Sequence, residues 1–233
     1  QVSQNGWQTE QERTMNNPDQ ISLFETIEPP LSLQDSLRTL IRRGHHDDGI
    51  PPDILSGEYG RVILMTGVRD LISLGHYLAV RRLIEGEAVV FVDGANIIDL
   101  PFVLRLARLL RADPRIFLKQ MHLSRAFTAH QLESVIARDL AGAMERFRSR
   151  LCIVSGLMDT PTDDELPLWE AGRLLRNITG CLRSLADQGR VILVIAPDPA
   201  AASEKTGKLL PIVKKTADRT FQLSRDNDRL VLE

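Results

Sequence analysis

The stretch that decides the fold is RVILMTGVRDLISLGHYLAVRRLIEGEAVVFVDGAN, residues Arg61 to Asn96. It begins with an apolar run of strand length that ends at Gly67. It closes with a second apolar strand, Val89 to Val92, followed by Asp93. The segment between them spaces its leucines as a helix that buries one face does. Strand, glycine turn, helix and strand together predict the opening βαβ unit of a parallel sheet.

The same alternation of strands and helices continues along the chain. We predict helices over Ile98 to Arg111, Thr128 to Arg148 and Asp163 to Gln188. We predict strands over Phe117 to Met121, Leu151 to Val154 and Arg190 to Ala196. Two apolar segments around Asp226-Asn227-Asp228, at Ala217 to Leu223 and Arg229 to Leu232, predict a terminal hairpin. The expected fold class is α/β, a mostly parallel, doubly wound sheet with a C-terminal antiparallel hairpin.

Size and charge restrict the classes of function. The chain has 233 residues, enough for one α/β domain and a tail, and its net charge of −2 provides no global attraction for nucleic acid. No apolar run approaches the ~18 residues that span a bilayer, and the N-terminus has no signal-peptide pattern. We expect Cys152 and Cys181 to be buried free thiols. The expected location is cytoplasmic, in association with the nucleoid.

Composition divides the chain into three parts. Residues 1–30 are rich in Gln, Asn, Glu, Thr and Ser and end in two prolines, which predicts a disordered tail. Residues 31–50 comprise a short amphipathic helix and a polar linker. Residues 51–233 form the predicted α/β domain.

Four segments, in order, carry a resemblance to a known family. They are PDIL at Pro52–Leu55, VVFVD at Val89–Asp93, SRAFTAHQL at Ser124–Leu132 and ADRTFQL at Ala217–Leu223. Together they resemble the ATPase core of the RecA superfamily, in particular its archaeal and eukaryotic strand-exchange branch. The resemblance extends from about Pro52 to Leu232. It implies a RecA-like fold for residues 51–233.

The nucleotide site of that family is degenerate in this chain. A phosphate loop has the pattern G-x-x-x-x-G-K-[ST], in which backbone N–H groups and the lysine hold the phosphates and the hydroxyl holds Mg²⁺. Counted from Gly67, the second glycine, the lysine and the hydroxyl residue are replaced by Ile72, Ser73 and Leu74. In the alternative register the lysine is replaced by Leu71. The segment is also shorter than the family pattern, so we predict an ordinary turn, with Asp70 near the helix start where it would repel a phosphate.

The other catalytic positions of the family are also altered. The resemblance places the catalytic carboxylate, just after the second strand, at Ala95 or Asn96, and the Mg²⁺-supporting aspartate at Ser155. Phosphoryl transfer depends on positioned positive charge and metal, so these losses predict an inactive enzyme. We therefore predict no catalytic residue, no metal ion, no cofactor and no ATP hydrolysis. The degenerate nucleotide site comprises Gly67, Asp70, Asp93 and Ser155.

A short motif in the tail suggests a partner. Gln20-Ile21-Ser22-Leu23-Phe24 resembles the pentapeptide by which bacterial polymerases and repair factors dock on the sliding clamp, with Ile21 in place of leucine. Leu23 and Phe24 would enter an apolar pocket, and Gln20 would hydrogen-bond its rim. In the alternative interpretation Ile21, Leu23, Phe24 and Ile27 alternate as a short edge strand that packs the tail onto the domain.

A lysine-rich segment is the candidate DNA contact. The family binds DNA through loops at one end of the sheet, and the loop predicted here over Pro197 to Lys208 and the residues after it contain Lys205, Lys208, Lys214 and Lys215. Four lysines could contact phosphates without sequence preference. The loop has no aromatic residue to stack on bases, so we expect weak single-strand affinity. A solvated surface is the alternative.

The combined features imply a function. A recombinase-like domain that lacks ATPase residues and carries a clamp motif is similar in plan to the inactive RecA-like partners of translesion polymerases. The expected function is a scaffold in DNA repair, recombination or damage-tolerant replication. It would dock on a bacterial-type sliding clamp and on a polymerase or recombinase partner, with weak DNA binding and no membrane contact. The alternative is a protein-interaction subunit, or a nucleotide binder without hydrolysis, that has no DNA contact.

Overall fold

The fold is α/β, built on one eight-stranded sheet. The computed structural model describes residues 8–9, 60–160, 166–197, 204–226 and 229–232. The strands are β1 (Gln8–Thr9), β2 (Arg61–Gly67), β3 (Val89–Asp93), β4 (Met121–Arg125), β5 (Leu151–Ser155), β6 (Val191–Pro197), β7 (Arg219–Asp226) and β8 (Arg229–Leu232). Their order is β1-β4-β3-β5-β6-β2-β7-β8, and the six strands from β4 to β7 in this order are all parallel. This confirms the predicted parallel α/β class.

Helices connect the parallel strands. They are α1 (Asp70–Ile84), α2 (Leu100–Leu109), α3 (Pro114–Gln120), α4 (Ala129–Ser134), α5 (Leu140–Arg146), α6 (Leu168–Asp187) and α7 (Glu204–Thr216). A π-helical segment, Val135–Asp139, joins α4 to α5. Both cysteines are free thiols: Cys152 is buried in β5, and Cys181 is half-buried on α6.

The core has two layers, one on each face of the sheet. Side chains of a strand point alternately to opposite faces, so Ile63 and Met65 pack with α1, α2 and α3, whereas Val62 and Leu64 pack with α4, α5, α6 and α7. Because both faces are covered, β2, β3 and β5 are continuous runs of buried residues. The apolar runs of the sequence therefore mark the central strands.

The predicted third strand, Phe117 to Met121, is wrong. This stretch is the helix α3, and the strand β4 begins at Met121. Asp113 caps α3, because its Oδ1 accepts a hydrogen bond of 2.9 Å from the N–H of Arg115, and Pro114 occupies the first helical position. An aspartate cap followed by proline is a helix-start pattern that outweighs the short apolar run.

The predicted loop over Pro197 to Lys208 is corrected in its second half. Glu204–Thr216 is the helix α7, although it contains Gly207 and Pro211. Both residues disfavour a helix interior. Thr206, Leu209 and Val213 are buried, at the spacing of one helix face, and this packing outweighs the local preference.

Each edge of the described sheet carries one strand that is antiparallel to its neighbour. At one end, β7 runs parallel to β2, and antiparallel pairing is confined to β7 with β8, for example Leu223 with Leu232. The predicted C-terminal antiparallel hairpin is therefore corrected: β7 belongs to the parallel part of the sheet, and at this edge only β8 is antiparallel to its neighbour. At the other end, Gln8–Thr9, within the segment that we predict to be disordered, pairs antiparallel with β4.

Several predictions lie outside the described residues. These are the clamp motif Gln20 to Phe24, the amphipathic helix and linker over residues 31–50, and the PDIL segment at Pro52–Leu55. They stay predictions from the sequence.

Candidate functional site

The phosphate-loop position is closed by a two-residue turn. Gly67 ends β2, and α1 begins at Asp70, so only Val68 and Arg69 lie between them. The N–H of Val68 donates to the carbonyl of Leu223 at 3.0 Å, and the N–H of Leu71 donates to the carbonyl of Val68 at 2.9 Å. N–H groups engaged in this way cannot turn toward a phosphate. The predicted replacement of the wide loop by an ordinary turn is confirmed.

Strand β7 lies directly against this turn. The φ of Gly67 is +121°, in the region that favours glycine, and a Cβ added there would be 2.0 Å from the carbonyl oxygen of Leu223. The backbone of β7 therefore packs so closely on the end of β2 that only glycine fits at position 67. Asp70 is the first residue of α1, where its carboxylate suits the positive end of the helix dipole and opposes a bound phosphate.

Asp93 is a structural residue at the carboxyl end of β3. It is fully buried, and its Oδ1 accepts hydrogen bonds from the N–H of Ile97 at 3.0 Å and from Oγ of Ser155 at 2.9 Å. Its Oδ2 accepts from the N–H of Ile98 at 3.1 Å and lies 3.9 Å from Nε of Arg125. Both oxygens of the carboxylate are thus engaged by groups of the protein. The carboxylate therefore holds the β3–α2 loop in place and does not offer an oxygen to a metal.

Only two of the predicted nucleotide-site residues meet. Asp93 and Ser155 lie on the adjacent strands β3 and β5, and their side chains are hydrogen-bonded. Gly67 and Asp70 belong to β2 and α1, and strands β6 and β5 separate β2 from β3. At about 4.8 Å per strand, the two halves of the predicted site are about 14 Å apart.

The loops above Asp93 and Ser155 leave little room for a ligand. Gly156 has a φ of +84°, and a Cβ added there would be 2.2 Å from the carbonyl carbon of Gly94. The N–H of Gly94 donates to the carbonyl of Ser155 at 3.1 Å. The β3–α2 and β5–α6 connections therefore touch through their backbones. In the described part of the chain, no three His, Cys, Asp or Glu side chains form a metal-binding group.

The candidate DNA-binding lysines do not form one patch. All four lie on α7, where Lys205 donates to the carbonyl of Leu166 at 2.6 Å and Lys208 is ion-paired with Glu204. Lys214 and Lys215 lie in the last turn. At 1.5 Å per residue, the first and last of these lysines are about 15 Å apart along the helix. Only Lys205 and Lys208 lie at the end of α7 that follows the carboxyl end of β6.

Two exposed aromatic residues, which the sequence reasoning missed, lie at the same edge of the sheet. Phe127 precedes α4 and Trp169 is in the first turn of α6, and each side chain is 68% exposed. A contact of 3.4 Å between Nε2 of His130 and Oε1 of Glu170 joins the starts of these two helices. Hydrophobic periodicity assigns large apolar residues such as these to the core. Their exposure could therefore not be predicted from the sequence.

His76 has a structural role. Its Nδ1 lies 2.8 Å from the carbonyl of Ile72, and its Nε2 accepts from the N–H of Asp99 at 3.2 Å, which requires the neutral tautomer with a proton on Nδ1. The ring packs between Phe91 and Phe102. Burial lowers the pKa of His76, so the ring stays neutral and joins α1 to the β3–α2 loop.

Comparison with known proteins does not assign the chain to a family. No protein-family model matches the chain, and no curated protein matches it. Among the residues that the structure describes, no helix is long and apolar enough to cross a bilayer. The candidate site is therefore interpreted from its own geometry.

Proposed function

We propose that this protein is a catalytically inactive, RecA-like accessory factor in DNA repair, recombination or damage-tolerant replication. The parallel sheet is compatible with a RecA-like core, and the order of the resembling segments along the sequence supports that core. The observation that carries the proposal is the closed turn at Gly67, with β7 against it. A core of this kind that cannot hold a triphosphate would act by binding partners.

Clamp docking is the proposed means of recruitment. The support is the sequence Gln20-Ile21-Ser22-Leu23-Phe24 within a polar segment. Extended apolar motifs of this type bind by placing alternate side chains in pockets, at the cost of ordering a few residues. The scaffold would thus bring a polymerase or recombinase partner to the clamp.

A double substitution in the motif tests this role. We expect the full chain to bind a bacterial sliding clamp with micromolar affinity in calorimetry. We expect Leu23→Ala/Phe24→Ala to weaken that binding by at least about 30-fold, since interface anchors contribute about 2 kcal/mol or more.

The control is Met15→Ala/Ile27→Ala, which removes two apolar side chains of the tail outside the motif. It should leave clamp affinity unchanged. Absence of binding by the intact chain would contradict the clamp proposal. If Leu23→Ala/Phe24→Ala instead lowered the free energy of unfolding, that loss would favour packing of the tail on the domain.

Weak single-strand DNA binding at the carboxyl edge of the sheet is the second part of the proposal. Phe127 and Trp169 supply exposed aromatic faces, and Lys205 and Lys208 supply positive charge at this edge. Stacking on aromatic side chains together with cations is the usual basis of sequence-independent single-strand binding. Lys214 and Lys215 lie at the far end of α7 and have no part in this surface.

Removing the two aromatic side chains tests the DNA contact. We expect Phe127→Ala/Trp169→Ala to weaken binding of a fluorescent single-stranded oligonucleotide, measured by anisotropy at low salt, by at least about tenfold. The matched control is Ile84→Ala/Leu109→Ala, which removes two exposed apolar side chains from α1 and α2 and should have no effect.

Failure of the intact chain to bind DNA would favour the alternative function, a protein-interaction subunit with no DNA contact. A further alternative, nucleotide binding without hydrolysis at the degenerate site, is opposed by the two-residue turn after Gly67, in which the N–H groups of Val68 and Leu71 are hydrogen-bonded within the protein.

A further inference from the structure

A basic pocket lies at the edge of the sheet opposite the candidate site, where β3, β4 and β5 begin. Its volume is about 540 Å³, within the range that holds a small organic ligand. The side chains that matter for its chemistry are Lys119, Gln120, His122, Phe147, Arg148 and Arg150. Because the flanking strands are five residues long, the pocket is about 16 Å from the carboxyl edge.

The floor of the pocket is held by hydrogen bonds. Ser149 is fully buried, and its hydroxyl lies 2.7 Å from both the carbonyl of Ala88 and the carbonyl of Leu151. This contact ties the start of β3 to the start of β5. Nε2 of Gln120 lies 3.5 Å from the carbonyl of Gly86, which joins the start of β4 to the end of α1. The cavity is thus formed in advance of any ligand.

The charge of the pocket is positive. Lys119, Arg148 and Arg150 contribute three cations to its lining. The one acid in the lining, Glu87, is engaged by Arg82, with 3.4 Å between its Oε2 and the guanidinium. All three side chains are exposed to solvent at the mouth of the pocket, where a bound anion could contact them.

His122 provides a buried polar group in the lining. It is 5% exposed, and its ring stacks on Phe147 with 3.5 Å between the ring centroids. Its Nδ1 has no hydrogen-bond partner among the described residues. Burial, with the nearby charge of Arg146, lowers the pKa of His122 to about 4, so the neutral ring offers one donor and one acceptor. A buried polar atom without a partner is costly unless a ligand or water completes it.

We propose that this pocket binds the phosphate group of a small phosphorylated ligand of nucleotide size, with Lys119, Arg148 and Arg150 around the phosphate and His122 as a hydrogen-bonding partner. Guanidinium and ammonium groups are the side chains that bind phosphate most strongly. The site is separate from the degenerate nucleotide site and from the surface proposed for DNA.

A competing explanation assigns the cations to the fold alone. Lys119 lies in the last turn of α3, where a positive side chain favours the negative end of the helix dipole. That role would account for stability and would give no phosphate affinity. A measurement of phosphate binding therefore distinguishes the two explanations.

The test is calorimetry on the full chain at low ionic strength, with inorganic phosphate and ADP as probes. We expect both to bind, and Lys119→Glu/Arg148→Glu to weaken each by at least about tenfold. The charge-matched control is Arg108→Glu/Arg138→Glu, on exposed residues of α2 and of the π-helical segment, which should stay within about twofold of the natural chain. His122→Phe keeps a ring for stacking and should weaken phosphate by about fivefold through the lost hydrogen bond.

The outcomes separate the sources of the ligand. Tighter binding of ADP than of phosphate would support a nucleotide, and equal binding would support recognition of the phosphate alone. The proposal is overturned if neither probe binds, or if the pocket variant and its control bind equally. Tight binding of a single-stranded oligonucleotide that is lost only in the pocket variant would also overturn it, because the ligand would then be nucleic acid.

Discussion

An Asp93→Ala variant should lose about 3–5 kcal/mol of the free energy of unfolding. The carboxylate is fully buried and accepts hydrogen bonds from the N–H groups of Ile97 and Ile98 and from the hydroxyl of Ser155. Removal leaves the buried hydroxyl of Ser155 and two partly buried N–H groups without this partner, and it takes away the carboxylate that lies 3.9 Å from Nε of Arg125. Urea denaturation, with the slope checked for two-state behaviour, measures the loss.

Two further variants make the Asp93 result interpretable. Asp93→Asn keeps the shape and one acceptor, so we expect a smaller loss of about 1–3 kcal/mol. Asp187→Ala removes a carboxylate that is 65% exposed and paired with Arg183, and it should cost less than about 1 kcal/mol. A loss below about 1 kcal/mol for Asp93→Ala would contradict the structural role and reopen a ligand-binding role for this carboxylate.

The second large effect is expected at Gly67. Gly67→Ala places a methyl group 2.0 Å from the carbonyl oxygen of Leu223 and forces alanine to a φ of +121°. The methyl group cannot be accommodated unless β2 and β7 separate, which weakens their ladder. We expect a loss of about 3–5 kcal/mol, the sum of backbone strain and a disrupted strand pair. Thermal and urea unfolding both report it.

A helical glycine provides the control. Gly180 lies in α6 with open space around its Cα, so Gly180→Ala should raise stability by about 0.5–1 kcal/mol. If Gly67→Ala were as stable as the natural chain, the β7 backbone could not lie against the turn. The close pairing of β2 with β7 at this turn would then be contradicted.

Asp93 and Gly67 are both points at which the structure holds two segments of backbone together. We expect both changes to act on stability, since neither residue offers a group to a ligand. That pattern is opposite to the one an active site gives, where such substitutions remove activity and leave the fold stable.

Much of the fold was predictable because local and tertiary preferences agree. Residues 62–65 are apolar throughout, and they are buried in a central strand that pairs with β6 and β7. The helix α1 repeats its leucines on the face that packs on the sheet. The prediction failed at α7, where local and tertiary preferences disagree. Pro211 and Gly207 disfavour a helix, but the burial of Leu209 and Val213 makes this segment helical.

The candidate site was predictable in part. Counting residues after Gly67 was enough to show that a lysine is absent and that the connection is short. Asp93 and Ser155 could be placed at the ends of neighbouring strands, and they are hydrogen-bonded. The basic pocket could not be foreseen, because its lining comes from residues around 86–88, 119–122 and 147–150.

By itself, the sequence determined the parallel α/β class, the positions of the central strands β2, β3, β5 and β6, and the absence of a phosphate-loop pattern after Gly67. These features depend on the spacing of apolar residues and on the identity of residues that are close together in the sequence. Only the tertiary structure decided that β7 covers the Gly67 turn, that the lysines of α7 are divided between two ends of a helix, and that Phe127 and Trp169 share an edge. Contacts between segments that are distant in sequence depend on strand order, and strand order is set by the packing of the whole core.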